Sequence, residues 1–266
     1  MDPSRKLPPR VLSIAGSDSG GGAGIQADLK AFARSGVYGM TAITAVTAQN
    51  TAAVTAVYPL PPEAIVEQVR AVAMDIGVDA VKIGMLGTAE AIAAVIRALE
   101  LVGDVPVVLD PVMVAESGAA LLDEGAEEAL RGGLVPRVTV VTPNLLEAAA
   151  LARDDADVGA ERLAWAIHAL GPEAVVVTGG HREEGSDLFF DGKRAVEIPG
   201  DRHPDGASHG SGCTHSSVLA AQLALGADPL EAAHRARAVA SDAVRDGLRG
   251  LGAGAGPVDV LGVGRR

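Results

Sequence analysis

Short apolar segments alternate with longer amphipathic segments along most of the chain. Six Val- and Ile-rich runs have the length of a strand, at 10–15, 41–48, 79–84, 105–110, 138–142 and 174–179. Apolar runs of this kind, with little polar alternation, indicate strands that are buried on both faces of a parallel sheet. The remaining stretches predict helices at 24–35, 63–76, 88–100, 123–131, 144–152, 160–170, 213–226 and 229–247. This alternation predicts a layered α/β fold with a mainly parallel sheet.

Three segments depart from this alternation. Residues 51–60 predict a short extra strand, and residues 187–199 predict a hairpin that turns at Asp191-Gly192. The glycine-rich residues 247–259 predict an irregular segment. Because no linker, charge run or repeat divides the chain, we expect a single domain over residues 1–266, with irregular tails at 1–9 and about 250–266.

Polar and glycine residues follow the predicted strands. They are Gly16–Gly24, Gln49-Asn50, Gly84-Met85, Asp110-Pro111, Pro143-Asn144 and Gly179-Gly180-His181. In open α/β sheets, ligands bind beyond the carboxyl ends of the strands. The clustering therefore predicts one shared site.

The amino-acid composition limits the kinds of molecule that this protein is expected to bind. The net charge of -12 argues against general binding to nucleic acids or anionic membranes, and only 2% of residues are aromatic, which leaves few rings for base stacking. The single cysteine excludes an intramolecular disulfide and fits a reducing compartment. The N-terminal residues lack the apolar core of a signal peptide, and no apolar run reaches the ~18 residues of a membrane helix. We expect a soluble, cytoplasmic protein.

The only cysteine lies in the segment 208-SHGSGCT-214, directly before a predicted helix. A glycine-rich turn that leads into a helix presents free backbone N–H groups to an anion. The helix N-terminus is expected to lower the pKa of the Cys213 thiol, which would make it a base or a nucleophile. The alternative is an ordinary helix start that carries a small buried thiol.

Another glycine-rich segment, 15-AGSDSGGGAGIQADLKAF-32, joins the first predicted strand to a helix. We expect its N–H groups to allow close approach of a ligand, and the alternative is a plain turn with a small-residue helix contact. It is not a P-loop, because no Gly-Lys-Ser/Thr follows. Asp28 lies near the start of the helix, where stabilisation of the helix dipole alone could explain it.

Four further side chains at the ligand edge suit a polar ligand. The Gln49 amide offers a donor and an acceptor to a heterocycle with adjacent ring nitrogen and amino groups, or it caps a strand end. Asn144 and Glu147 have the spacing of a helix-capping arrangement, while Glu147 could instead hold Mg²⁺ through water. Asp110 is a second candidate carboxylate, or a capping aspartate beside Pro111.

Together these segments resemble the ribokinase-like superfamily and, within it, the hydroxymethylpyrimidine/phosphomethylpyrimidine kinases of thiamine biosynthesis. The matching segments are 14–32, 36–51, 82–86, 109–118, 142–148 and 209–217. The long first segment is highly specific, with Gly20 where the family usually has Ser. The resemblance implies a ribokinase-like three-layer sandwich, with helices on both faces of the sheet.

The resemblance also implies an activity and a set of site residues. ATP would phosphorylate the hydroxymethyl group of the aminopyrimidine and then its monophosphate, with Mg²⁺ as cofactor and a homodimer as the assembly. The residues at the family's catalytic positions are Gly210, Ser211, Gly212 and the base Cys213. Those at substrate-binding positions are Gln49, Asp28, Gly16, Met85 and Val112. Those at nucleotide positions are Asn144, Thr178 and Gly180, and those at metal positions are Glu147 and Asp110.

Two positions depart from the family pattern. Thr178 and Glu116 stand where the family often has lysine, so two positive charges near the nucleotide phosphates are absent. Pyridoxal/pyridoxine kinase is the alternative within enzymes, although Gln49 and the first segment favour the pyrimidine. A non-catalytic pyrimidine- or nucleotide-binding protein is the alternative outside enzymes.

Overall fold

The computed structural model describes residues 7–115, 118–123, 125–179 and 185–265. Its strands are β1 Arg10–Ala15, β2 Tyr38–Ile43, β3 Ala45–Gln49, β4 Val54–Pro59, β5 Ala80–Ile83, β6 Val107–Leu109, β7 Val140–Val141, β8 Ala174–Val177, β9 Asp187–Phe190 and β10 Ala195–Ile198. Its α-helices are α1 Gly24–Ser35, α2 Pro62–Asp75, α3 Ala89–Leu99, α4 Ala126–Glu128, α5 Leu145–Ala152, α6 Ala160–His168, α7 Ser211–Ala224 and α8 Pro229–Arg245.

The central sheet has the order β10-β9-β8-β7-β6-β5-β1-β2 within the described ranges. The strands from β8 to β2 pair in parallel, whereas β9 and β10 are antiparallel. The predicted hairpin is therefore present at one edge of the sheet, with Phe190 opposite Ala195. This arrangement confirms the predicted α/β class with a mainly parallel sheet.

Two apolar cores lie on opposite faces of the sheet. In β1, Leu12 and Ile14 pack with residues of α2, α3, α5 and α6, while Val11 packs with residues of α1, α7 and α8. Successive side chains of a strand point to opposite faces, so an unbroken apolar run is needed to line both cores. The predicted three-layer sandwich follows from this arrangement.

The predicted strand at 41–48 is wrong as one element. It divides at Thr44, whose N–H donates to the Ala15 carbonyl at 3.0 Å. β2 stays in the central sheet, and β3 leaves it to pair antiparallel with β4, the extra strand predicted at 51–60. In β3 the exposed Val46 and Ala48 alternate with buried Ala45 and Thr47, which is the pattern of a half-covered hairpin.

The predicted helix at 123–131 is also irregular. The short α4 continues as a π-helical segment at Ala129–Leu134 and a 3₁₀ turn at Val135–Arg137. Gly132 and Gly133 lower the helix propensity of this stretch, and Pro136 ends the α-helical hydrogen bonding.

The segment after α8 has no further strand or α-helix among the described residues up to 265, in line with the irregular segment that the glycines predict. Val258 and Val260 are nevertheless buried against Ala243 of α8. The Val258 N–H donates to the His209 carbonyl at 3.0 Å, and the His209 N–H donates to the Gly256 carbonyl at 3.1 Å. This segment therefore supports the turn that precedes α7. None of the described helices has the length and apolar character that crossing a membrane requires.

Candidate active site

The carboxyl ends of the parallel strands converge at one edge of the sheet. Gly16 follows β1, and its carbonyl accepts a hydrogen bond from Ile25 of α1 at 3.0 Å. Asn144 and Thr178, which follow β7 and β8, form a parallel bridge to each other. Asp110 follows β6 and contacts α7. The shared site that the sequence predicts at this edge is therefore formed by α1, α7 and the strand ends.

The second glycine turn, residues 208–212, leads into α7. Gly210 has a φ of 85°, and a Cβ there would lie 1.8 Å from the Gly22 carbonyl oxygen, so only glycine fits. The Ser211 N–H donates to the Ser208 carbonyl at 2.9 Å, whereas the N–H groups of Gly212 and Cys213 have no protein acceptor within the described part of the chain. Gly212 is exposed. The turn therefore has open donors at a helix N-terminus, as an anion hole requires.

The first glycine turn, residues 16–24, is different. The buried Asp18 carboxylate accepts the backbone N–H groups of Gly20 at 2.7 Å, Gly22 at 2.9 Å and Ala23 at 2.8 Å. These three N–H groups therefore bind an internal carboxylate, while close approach of a ligand to this turn stays a prediction.

A contact between Asp18 and His209 joins the two glycine turns. The Nε2 atom of His209 lies 3.0 Å from Asp18 Oδ2. Burial opposes ionisation of Asp18, but the hydrogen bonds from His209, Ala23 and Gly20 outweigh it, so its pKa lies below its usual value. The ionised carboxylate therefore holds the first turn closed and bonds to the second.

Cys213 lies where the N-termini of α1 and α7 meet, and the residue is half-buried. The Gly24 N–H at the start of α1 reaches the thiol. Burial, helped by the negative charges of Asp110 and Asp28, raises the pKa of the thiol to about 12, against the opposing effects of Lys82 and the Gly24 N–H. The expectation of a lowered pKa is therefore wrong, because desolvation outweighs the helix N-terminus.

Buried carboxylates hold α7 from below through the polar residues 215–217. Ser217 Oγ donates to Asp28 Oδ1 at 2.7 Å, and Ser216 Oγ donates to Asp110 Oδ2 at 3.0 Å. These helix residues were not among the predicted site residues. The sequence signal for them is a polar run directly before the apolar stretch 218–221. Polar residues within a buried helix need hydrogen-bond partners, so such a run indicates buried polar contacts.

Asp28 lies beneath the site rather than on its surface. Its carboxylate also accepts Ser13 Oγ at 2.6 Å and Lys82 Nζ at 2.9 Å, and neither Asp28 nor Lys82 has an exposed side chain. Burial alone would lower the pKa of Lys82, but the charge of Asp28 and other nearby acidic groups outweighs it and raises the pKa, so Lys82 stays charged. Lys82 was not among the predicted site residues, although a lysine inside the apolar run of β5 is a signal for it.

Asp110, which is buried, and Glu147, which is half-buried, form an acidic pair. Asn144 and Glu147 make the predicted capping box, in which Glu147 Oε2 accepts the Asn144 N–H at 2.9 Å. Burial and then the charge of Asp110 raise the pKa of Glu147 to about 8. Burial likewise raises the pKa of Asp110. A cation between these oxygen donors would relieve both effects.

The donor set fits Mg²⁺. Among the described residues, no cluster of three or more ionisable ligand side chains could enclose a metal. Mg²⁺ typically takes one or two carboxylates and completes its shell with water and substrate phosphates. Asp110 and Glu147 would supply those two carboxylates.

The predicted pocket residues lie around the first glycine turn and after β6. A Cβ at Gly16 would lie 3.3 Å from the sulfur of Met85, so these two residues are in contact. Gln49 lies at the end of β3, and Ser19 Oγ donates to its carbonyl at 2.6 Å. Val112 N–H donates to the Asp110 carbonyl at 2.8 Å. The predicted nucleotide residue Gly180 and the departure at Glu116 lie outside the described residues.

Comparisons with known proteins show which family the chain resembles. A family model described as phosphomethylpyrimidine kinase matches residues 18–259. The hydroxymethylpyrimidine/phosphomethylpyrimidine kinase of Rhizobium meliloti is 50% identical, covering 93% of this chain and 95% of that protein. The thiamine biosynthesis bifunctional protein ThiED of Geobacter sulfurreducens is 44% identical over 94% of this chain and 51% of its own length. The structure of an ADP complex of Bacillus subtilis pyridoxal kinase superposes with a TM-score of 0.87 at 36% identity, covering 96% and 98% of the two chains.

Proposed function

Since the chain belongs to the phosphomethylpyrimidine kinase family, we propose that it transfers a phosphoryl group from ATP to hydroxymethylpyrimidine, and then to its monophosphate, in thiamine biosynthesis. The observation that carries this proposal is the second glycine turn. Its open N–H groups lie beside Cys213 and near the acidic pair Asp110 and Glu147. This combination suits a reaction that moves a phosphoryl group between two oxygens.

Phosphoryl transfer needs positioning and charge neutralisation more than covalent chemistry. The N–H groups of Gly212 and Cys213, with the positive end of the α7 dipole behind them, would hold the oxygens of the transferred group. Gly210 and Ser211 would shape the turn that aims these donors. The buried contacts of residues 215–217 keep α7 from rotating away from this position.

Mg²⁺ would be held by Asp110 and Glu147, directly or through water. When bound, it would neutralise charge on the ATP phosphates. Both carboxylates must be ionised to hold it, and their raised pKa values favour release of a proton when the cation binds.

Cys213 would act as the base. Its thiol, with a pKa of about 12, keeps its proton at neutral pH in the free protein. Before transfer, the thiol would lose its proton to solvent. As the substrate oxygen then forms its bond to phosphorus, the hydroxyl proton would pass to the Cys213 thiolate, and ADP would leave with the electrons of the broken P–O bond. A sulfur of high pKa that is ionised when the alcohol arrives is a strong proton acceptor.

The pyrimidine would lie near the first glycine turn. Gly16 and Met85 would form an apolar wall, and Val112 would approach from the loop after β6. Gln49 would offer its amide to the ring nitrogen and the amino group. Asp28 would act from beneath, by holding Ser217 and Lys82, rather than by touching the substrate.

The nucleotide would lie along the ends of β7 and β8. Asn144 and Thr178 are bridged there, and Gly180 follows in the chain. Thr178 does not supply the positive charge that lysine would. Backbone N–H groups and Mg²⁺ would therefore carry most of the phosphate binding.

We also infer a homodimer in the cytoplasm. Tyr38, Val46, Val57 and Tyr58 of β2, β3 and β4 are at least 40% exposed, and monomers rarely expose large apolar patches. Light scattering in solution tests the dimer. The free cysteine Cys213 suits the reducing cytoplasm.

ATP-dependent phosphorylation of the pyrimidine alcohol and of its monophosphate tests the activity, with the products identified by mass spectrometry. We expect Mg²⁺-dependent formation of the monophosphate and then the diphosphate. Ligand binding without ADP release, at any Mg²⁺ concentration, would instead indicate a non-catalytic binding protein.

Pyridoxal kinase is the second candidate, because the ADP complex of the Bacillus subtilis enzyme has the same fold over nearly the whole chain. Side-by-side kinetics decide between the two substrates. A higher kcat/KM for pyridoxal than for hydroxymethylpyrimidine would overturn the choice. Replacing Gln49 by Leu should lower kcat/KM for the pyrimidine while leaving the KM for ATP unchanged, which separates substrate recognition from nucleotide binding.

A further inference from the structure

We propose that Asp187 and His215 form a positioning pair that holds the end of β8 in register with α7, and so couples nucleotide binding to the second glycine turn. The inference deepens the proposed kinase function and rests on it. Neither residue is placed in contact with a substrate, so both act through the backbone that they hold.

One buried carboxylate bridges two parts of the site. Asp187 is the first residue of β9 and is fully buried. Its Oδ1 atom accepts the Gly179 N–H at 2.7 Å, and its Oδ2 atom lies 3.0 Å from Nε2 of the buried His215. Gly179 directly follows Thr178, and His215 lies one position beyond Thr214, in the first turns of α7.

At the end of β8, no residue larger than glycine fits at position 179. A Cβ at Gly179 would lie 2.0 Å from the Ser186 carbonyl oxygen. The backbone of Gly179 is thus packed directly against the chain that leads to Asp187. Movement of Asp187 would therefore move Gly179 and the adjoining Thr178, which is bridged to Asn144.

The fit on the α7 side depends on the same carboxylate. Across the described part of the chain, neither ring nitrogen of His215 has a partner with hydrogen-bond geometry, and its polar contact is the one with Asp187 Oδ2 at 3.0 Å. Arg237 of α8 adds a positive charge 3.8 Å from Asp187 Oδ1. Burial opposes ionisation of Asp187, but the contacts with His215 and then Arg237 outweigh it and lower its pKa. The carboxylate is therefore ionised, and His215 is its contact on α7.

Kinetics of His215→Leu, His215→Gln and Asp187→Asn test the pair. Gln keeps a side-chain N–H near the position of Nε2, whereas Leu removes it. We expect His215→Leu to lower kcat by about 10-fold and to raise the KM for ATP several-fold, with the KM for the alcohol unchanged, because the group that positions the nucleotide end is lost. His215→Gln should recover most of the activity. His168→Leu is the matched control, because His168 lies on α6 and packs edge-on against Phe190, away from the site.

The two single substitutions should not add. The double variant Asp187→Asn/His215→Leu should lose no more activity than the stronger single variant, since both substitutions remove the same contact between Asp187 and His215. Additive losses, or a His215→Leu variant whose melting temperature falls while kcat and the KM for ATP stay at wild-type values, would overturn the proposal. If His215→Leu does not fold, Asp187→Asn decides, and wild-type kinetics in that variant would also overturn the proposal.

Binding of a non-hydrolysable ATP analogue, measured by calorimetry, separates this inference from the proposed function. Wild-type protein that binds the analogue but phosphorylates no pyrimidine would contradict the proposed substrate alone. If the positioning pair acts as proposed, His215→Leu should still lower the affinity for the analogue several-fold, and His215→Gln should restore that affinity. Equal affinity in wild type and His215→Leu would count against the pair whichever alcohol is the substrate.

Discussion

The first and second glycine turns each lead into a helix whose N-terminus faces Cys213, yet their backbone N–H groups have different partners. In the first turn, the N–H groups of Gly20, Gly22 and Ala23 all bind the Asp18 carboxylate. In the second turn, the N–H groups of Gly212 and Cys213 are open within the described part of the chain. The closed turn supports the open one through the contact between Asp18 and His209.

The difference shows that glycine content does not by itself make an anion site. Glycines allow the backbone to turn tightly and to approach other groups closely, as Gly210 approaches Gly22. Which donors remain open depends on whether an acceptor lies inside the turn. Asp18 takes the place that a bound anion would have, whereas the second turn contains no carboxylate.

The largest effect on catalysis is expected when the second turn receives a carboxylate of its own. We expect Gly212→Asp to lower kcat by about 1000-fold, because the new charge binds the open N–H groups and repels the phosphoryl group. Gly212→Ala is the matched control, since a Cβ there meets only Asp110 Oδ2, at 4.0 Å. Steady-state kinetics measure both variants. A Gly212→Ala variant as inactive as Gly212→Asp would show that shape, not charge, is decisive.

The next largest effect concerns the thiol between the two turns. Cys213→Ala should lower kcat at least ~100-fold, in line with loss of a general base, while pyrimidine binding survives. Because the thiol pKa is raised to about 12, the thiolate fraction is small at neutral pH and grows as the pH rises. The kcat/KM of the wild type should therefore still be increasing above pH 8.5, about where an ordinary thiol would level off.

The alanine variant is also the control for that pH profile. Glu147, with a pKa of about 8, ionises in the same range and affects any Mg²⁺ requirement. The part of the profile that disappears in Cys213→Ala belongs to the thiol. Unchanged turnover in this variant would assign Cys213 a structural role only.

The smallest effect on catalysis should come from opening the first turn. Asp18→Asn should lower kcat less than about 10-fold but destabilise the fold by about 1–3 kcal/mol, because buried N–H groups lose a charged acceptor. The folded-state pKa of Asp18 is depressed, so its stabilisation is present above its unfolded pKa and is lost as the pH falls through the folded value.

Urea unfolding measures this effect. The difference in free energy of unfolding between wild type and Asp18→Asn should be full at neutral pH and should shrink below about pH 4. Asp154→Asn is a surface control, because Asp154 pairs with Arg162 on the exterior and should change stability little. A difference for Asp18 that persists unchanged in acid would exclude the carboxylate charge as its cause.

Much of the fold could be predicted because its determinants are local. The bounds of β1 and α1 coincide with the predicted 10–15 and 24–35, since an apolar run and an amphipathic stretch are readable over a dozen residues. The division at Thr44 could not be predicted, because there the chain stops pairing with β1 and begins to pair with β4, and pairing partners are set by the tertiary fold. The short apolar run 41–48 has strand character on both sides of that break.

The site was predicted in position but only partly in chemistry. The capping box of Asn144 and Glu147 follows from their spacing, and the structure confirms it. The open N–H groups of the second turn agree with the anion site that the sequence predicts. The pKa of Cys213 was wrong in direction, because the helix N-terminus can be inferred from sequence whereas burial and the nearby Asp110 and Asp28 cannot.

The sequence by itself determined the alternation of strands and helices, the family resemblance and the residues available at the strand ends. Only the tertiary structure decided which N–H groups stay open and which charges are buried and paired. The hydrophobic periodicity that predicts strands and helices depends on residues close together in the chain. Hydrogen-bond satisfaction and desolvation depend on groups that folding brings together, such as Asp18 and His209, which are 191 positions apart.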